Sequence, residues 1–132
     1  MSKQVKQVFA SDVVVGGTQK MPFSSAIRAG DFVFVSGVSA VDGQGQALGG
    51  SIEWQTRYVL DQIGATLKEA GCALSDVVKT TCFLDDPRNF ANFNRVFREY
   101  FPVDPPTRST ITSTLMLEGK VEIEVIAYRP LA

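Results

Sequence analysis

The stretch VVKTTCFLDDPRNFANFNRVFREYF, Val77 to Phe101, decides the fold. Val77 to Leu84 is rich in β-branched residues and reads as a strand. Asp86-Pro87 then changes the period. Asp86 is a helix cap, and Pro87 suits the first helical position, where a missing N–H costs nothing. Phe90, Phe93, Phe97 and Phe101 recur every three or four residues and make one apolar stripe, read as core. Phe101-Pro102 stops the helix, and a Pro-rich loop runs to Pro106. Strand and helix thus follow each other within a few residues.

Downstream, Thr107 to Leu115 and Lys120 to Tyr128 read as the last two strands, joined by a turn around Glu118-Gly119. Upstream, Ser51 is an N-cap with Glu53 in the first turn, where a negative charge suits the helix dipole. Ile52, Thr56, Val59, Ile63 and Leu67 form the stripe of that helix, and Gly71 ends it. Before it lies Asp42 to Gly50 (DGQGQALGG), a glycine-rich loop. No Gly-Lys-Ser/Thr follows, so it is no phosphate cradle. Val5 to Phe9 and Val13 to Val15 read as short strand material, broken by Gly16-Gly17, and Met21-Pro22-Phe23 begins a new segment. Ser25 to Ala29 and Asp31 to Gly37 are strands around a Gly30-Asp31 turn.

The predicted order is β-β-β-α-β-α-β-β in one domain over residues 1–132. The fold class is α+β: a mixed sheet with both helices on one face. Phe32 and Phe34 point one way from their strand, Val33 and Val35 the other, so the sheet is apolar on both sides. Something must cover the second side, and a second subunit is the simplest cover.

Bulk properties narrow the function. The chain has 132 residues, a net charge of -1 and a pI near 5.4, which argues against a nucleic-acid backbone as main partner. No run nears the ~18 apolar residues of a membrane span, and the start leads into no signal core. The cytoplasm is the expected location, where Cys72 and Cys82 would be free thiols filling the core. Histidine is absent, which removes Ser-His-Asp and Cys-His catalysis and histidine metal sites. Proton chemistry must use carboxylates, tyrosines, lysines, backbone groups or water.

Among what remains, Arg108 stands out in Pro105-Pro106-Thr107-Arg108-Ser109-Thr110. A lone strand arginine is ordinarily a surface ion-pair partner. Here the Pro-Pro lead-in stiffens the approach, hydroxyls flank it, and a guanidinium fork grips a carboxylate bidentately. Glu122 and Glu124 share one face of the final strand with Ile126 and Tyr128. They read either as solvated carboxylates or as acids, bases or water holders beside Arg108. Lys79 reads as an ion-pair or solvent-reaching lysine. Asp85-Asp86 is a turn and cap, with too few further ligands for a metal. Asn94 lies at the edge of the phenylalanine stripe, where its amide can point toward a groove.

From about Pro22 to Arg129 the chain resembles the RidA family, also called YjgF and historically labelled endoribonuclease or translation inhibitor. The matching runs are Pro22-Phe23-Ser24-Ser25-Ala26, Phe34-Val35-Ser36-Gly37, Gln55-Thr56, Ala70-Gly71, Asp76 to Thr81, Asn94 with Tyr100-Phe101, Pro106-Thr107-Arg108-Ser109 and Val121 to Ala127. The resemblance implies a chorismate-mutase-like fold, a homotrimeric barrel with ligand clefts between subunits, and no metal or organic cofactor. It implies hydrolysis of reactive 2-imino or enamine acids (2-iminobutanoate or 2-iminopropanoate type) to 2-keto acids and ammonia. In that frame Arg108 holds the substrate carboxylate, Glu122 positions or activates water, and Phe23, Ser36, Asn94 and Thr110 line the site. Two departures stand out. Phe23 occupies the place of a frequent tyrosine, and Thr110 that of a frequent cysteine. Carboxylate binding is therefore better supported than full deaminase activity. A non-catalytic keto-acid-binding module is the alternative, and the old ribonuclease label the remote one.

Overall fold

The structure is a computed structural model and describes residues 7–9 and 20–131. The expected Val13 to Val15 strand and its Gly16-Gly17 break lie outside those residues, as does the start of the Val5 to Phe9 strand. The elements are β1 (Gln7–Phe9), β2 (Ala26–Ala29), β3 (Phe32–Ser39), α1 (Ile52–Glu69), β4 (Val77–Leu84), α2 (Phe90–Tyr100), β5 (Thr107–Thr112) and β6 (Val121–Tyr128). Their order is the expected one.

One six-stranded sheet runs β1-β2-β3-β6-β4-β5. Every pairing is antiparallel except β4 with β5, which is parallel. Because β6 lies antiparallel between β3 and β4, those two strands also run the same way. The chain therefore makes two parallel crossovers, β3-α1-β4 and β4-α2-β5, both stepping across the sheet in one direction. Right-handed crossovers taken in one direction leave their helices on the same face. This is the physical reason why both helices share a face, and it fixes which strand residues become core.

Those core residues are Val33 and Val35 of β3, Thr80, Cys82 and Leu84 of β4, and Val121, Ile123, Val125 and Ala127 of β6, all buried. The alternate residues of β3 and β6 line the open face. There Phe32, Phe34 and Tyr128 are exposed, with the Phe32 and Tyr128 rings 5.2 Å apart.

The helix ends follow the sequence signals. Ser51 Oγ accepts the Trp54 N–H at 3.1 Å. At the other end Gly71 takes φ +81°, and the Gly71 and Cys72 N–H groups donate back to the Lys68 and Leu67 carbonyls, a Schellman stop. Asp86 accepts from the Arg88 guanidinium and from the Arg88 N–H at 2.9 Å, and these bonds hold its carboxyl down at about 2. Pro87–Asn89 forms a 3-10 turn, so α2 proper begins at Phe90.

Two expectations need correction. The α2 stripe is buried at Phe93, Phe97 and Phe101, whereas Phe90 is 44% exposed and Val96 joins the core. β5 stops at Thr112, not Leu115, because its partner β4 ends at Leu84. The Ser113 N–H donates to the Leu84 carbonyl at 2.9 Å and closes the ladder.

Candidate functional site

The residues singled out by the sequence fall into two groups, one on each side of the sheet. Arg108 pairs in register with Thr80, and Thr110 with Cys82, so both project to the helix face of the edge strand β5. There the Arg108 guanidinium carbon lies 5.6, 5.3 and 4.8 Å from the ring centroids of Phe90, Phe93 and Phe97, within cation–π range of all three. Among the described residues no carboxylate forms a salt bridge with Arg108. Two further polar atoms lie buried in this layer without a hydrogen-bond partner among the described residues: Asn94 Oδ1 on α2 and Thr110 Oγ1 on β5. Buried polar atoms are ordinarily satisfied, so both are open to a bound group or a water. Beside them burial pushes the Cys82 thiol up to about 12, against the pull of the Arg108 charge and a Thr80 hydrogen bond.

The second group lies on the open face. Glu122 pairs with Phe83 across β4 and with Ser39 across β3. Ser39 Oγ donates to Glu122 Oε1 at 3.0 Å. A bulge in β3 sets Ser36 and Gly37 against the single residue Glu124. At Gly37 an added Cβ would come 2.4 Å from Glu122 Oε2, so the carboxylate occupies the space that a side chain would fill. Gly37 has no positive φ; its bare backbone leaves room for the Glu122 carboxylate, which would have to shift if a Cβ were added.

Ser36 donates from Oγ to the Ser24 carbonyl at 2.6 Å and its N–H donates to the Ser25 carbonyl. With Phe23, Phe34 and Glu124 it lines an open depression of about 390 Å³. A neighbouring one of about 150 Å³ is lined by Phe34, Lys79, Thr81, Glu124 and Ile126. Lys79 reaches solvent here, as read from the sequence.

Within one chain the sheet separates Arg108 from Glu122. Arg108, Thr110 and Asn94 belong to the layer under α2, and Phe23, Ser36, Glu122 and Glu124 to the open face. Sequence reasoning missed Ser39, although its parity with Glu122 becomes plain once β3 and β6 pair. It also read the α2 phenylalanines as core alone, and so missed that they seat Arg108. Arg28 was missed altogether. It is 7% exposed and donates to the carbonyls of Gly30, Ala70 and Arg129. Among the described residues no group of three or more His, Cys, Asp or Glu is placed to hold a metal, and no helix is long and apolar enough to cross a membrane.

Comparison with known proteins bears on this geometry. The endoribonuclease L-PSP family model matches residues 18–129. A RutC family protein of Pyrococcus horikoshii is 43% identical over 110 residues, covering 82% of this chain and 87% of the relative. The human 2-iminobutanoate/2-iminopropanoate deaminase is 30% identical over 131 residues, 98% of this chain and 94% of the relative. The crystal structure of yeast Mmf1 superposes with a TM-score of 0.82 at 30% identity, covering 94% of this chain and 98% of that one.

Proposed function

This chain belongs to the endoribonuclease L-PSP family, also called YjgF or RidA, and on that premise we propose that it is an enamine/imine deaminase. Its substrates are reactive 2-imino acids of the 2-iminobutanoate and 2-iminopropanoate type, and its products are 2-keto acids and ammonia. The observation that carries the reading is Arg108: a guanidinium seated on three phenyl rings with no carboxylate partner among the described residues. Such a fork is set to receive the planar carboxylate of a small acid. The human relative named as a 2-iminobutanoate/2-iminopropanoate deaminase supplies the reaction class.

In this mechanism Arg108 grips the substrate carboxylate, and the Thr110 and Asn94 oxygens face the same layer. Glu122, held by Ser39, orients a water toward the C=N carbon and takes up its proton. The water oxygen bonds to carbon, Glu122 passes its proton to the nitrogen, and loss of the second water proton from the new hydroxyl to the nitrogen breaks the C–N bond, releasing ammonia and leaving the keto group. Imine hydrolysis is intrinsically easy, so holding acid and water together supplies much of the acceleration.

Arg108 and Glu122 of one chain cannot hold one small acid between them through the sheet. Assembly removes the difficulty if the Arg108 side of one subunit abuts the open face of the next. The exposed rings of Phe32, Phe34 and Tyr128 on that face fit such burial. A homotrimer with three intersubunit clefts, the assembly that the family resemblance implies, is therefore part of the proposal, and the cytoplasm is its proposed location.

A coupled assay tests it. A threonine dehydratase generates 2-aminocrotonate and 2-iminobutanoate, semicarbazide traps the imine, and 2-ketobutyrate release is followed. Faster ketobutyrate formation with this protein, lost in Arg108→Ala, is the expected result. No acceleration at micromolar protein contradicts it. The second reading, a non-catalytic keto-acid-binding module, is favoured by one residue: Phe23 lines the open-face depression without a phenol hydroxyl. Tight 2-keto acid binding without any rate effect would select it.

A further inference from the structure

The three rings around Arg108 are not equivalent. Phe93 and Phe97 are 0% and 6% exposed, and the core would require them whatever Arg108 did. Phe90 is 44% exposed, so packing alone does not call for an aromatic there. Its ring nonetheless lies 5.6 Å from the guanidinium carbon and completes the seat. We propose that Phe90 is a positioning residue for carboxylate binding, the outer ring of a phenylalanine seat that aims the Arg108 guanidinium at its ligand. The inference rests on the reading of Arg108 as the carboxylate-binding group, and deepens it.

The physical argument starts from the edge strand. Arg108 stands on β5, which among the described residues has a neighbouring strand on one side only. Its long side chain would sample many rotamers there, at a cost each time a ligand is bound. A neighbouring carboxylate would fix it, but would also occupy the fork. Aromatic faces attract the cation through their quadrupole without taking its N–H donors as a carboxylate does. Rings therefore hold the charge in place and leave the fork for a ligand.

Phe90 is itself well placed to do this, because the turn before it is fixed. Asp86 accepts both the N–H and the guanidinium of Arg88, and the Asn89 N–H donates to the Asp86 carbonyl at 3.1 Å. The first residue of α2 is thereby anchored beside β5.

The test separates ring charge from bulk. Phe90→Leu and Phe90→Met keep an apolar side chain and remove the quadrupole, while Phe90→Tyr keeps both. 2-Ketobutyrate binding is measured by calorimetry for the parent, these variants and Arg108→Ala, with thermal melts to verify folding. Leu and Met should raise Kd by about 5- to 30-fold, the scale of one cation–π contact, and Tyr should stay within about twofold of the parent. In the imine assay the same variants should raise KM more than they lower kcat, since the contact serves ground and transition states alike. Parent-like binding by both Leu and Met overturns the inference, as does equal weakening by Tyr. Arg108→Ala keeps the two levels apart. If it loses binding while Leu and Met do not, the role of Phe90 is wrong and the Arg108 site stands. If the parent itself does not bind the keto acid, the site reading fails and the inference falls with it.

Discussion

Arg108 and Glu122 project from opposite faces of one sheet: Arg108 pairs with Thr80 on the helix side, Glu122 with Phe83 on the open side. Each is separately prepared. Arg108 is seated on the α2 rings, and Glu122 is held by Ser39 against the bare backbone of Gly37. If both groups serve one site, as proposed, that site must lie between chains.

Arg108→Ala should lower turnover of 2-iminobutanoate by about 100-fold or more, the scale of losing one partner of a desolvated charge pair. The chain should still fold, with a melting temperature lowered only by the loss of the ring contacts, since no salt bridge joins Arg108 to the described residues. Arg108→Lys should recover little, because an ammonium cannot present the planar fork. Steady-state kinetics and a thermal melt check both parts.

Gly37→Ala should act on catalysis more than on folding. The new methyl would overlap Glu122 Oε2, so the carboxylate must swing away from Ser39. A displacement of that kind costs roughly 10- to 100-fold in kcat. Keto-acid affinity, which the proposed mechanism assigns to Arg108, should change little. Parallel measurement of kcat and of 2-ketobutyrate Kd would expose an error: a fall in affinity with kcat unchanged contradicts the assignment of Glu122.

Much of the fold was legible because its signals are local. Caps at Ser51 and Asp86, the stop at Gly71 and the period change after Leu84 each depend on a few neighbouring residues. The faces were not legible. Parity along β6 groups Glu122 with Glu124, and parity along β5 groups Arg108 with Thr110, but nothing in either strand relates one parity to the other. That relation is set by β6 inserting between β3 and β4, a pairing of residues from 37 (Leu84 with Val121) to 96 (Phe32 with Tyr128) positions apart. Phe90 misled for a related reason. Its spacing fits the stripe, yet it opens the helix beside an edge strand, where the core does not reach it. Arg28 gave no local signal, because its acceptors lie on three separate segments.

Arg28→Leu should be the costly arginine substitution for stability. Arg28 donates to the Arg129 carbonyl at 2.9 Å and to the carbonyl of Ala70, the C-cap of α1, where a cation also meets the negative end of the helix. Removing it leaves those acceptors unpaired, and about 2–4 kcal/mol of stability should be lost. Urea unfolding gives the number. A change within about 0.5 kcal/mol would mean that solvent replaces those bonds.

Cys82 sets a limit at high pH. Burial, opposed by Arg108 and Thr80, raises its thiol from 9.0 to about 12. Between those values the unfolded thiol ionises while the folded one keeps its proton, so the native state binds more protons and stability falls as pH rises. Tyr100, also raised to about 12 by burial and by Asp61, adds to the same trend. Cys82→Ala should flatten the decline between pH 9 and 12 without abolishing it. In the native parent at pH 8, Cys82 should resist alkylation until the protein unfolds.

The most direct test of a site shared between chains is complementation. Arg108→Ala and Glu122→Gln chains are each purified, found inactive, then mixed in equal amounts under conditions that allow subunit exchange. If each cleft takes Arg108 from one subunit and Glu122 from its neighbour, about a quarter of the clefts in a closed ring regain both native residues, and about a quarter of parental activity returns. If both residues of a working site come from the same chain, no mixture can restore it, and activity that stays at the level of the separate variants would contradict the account.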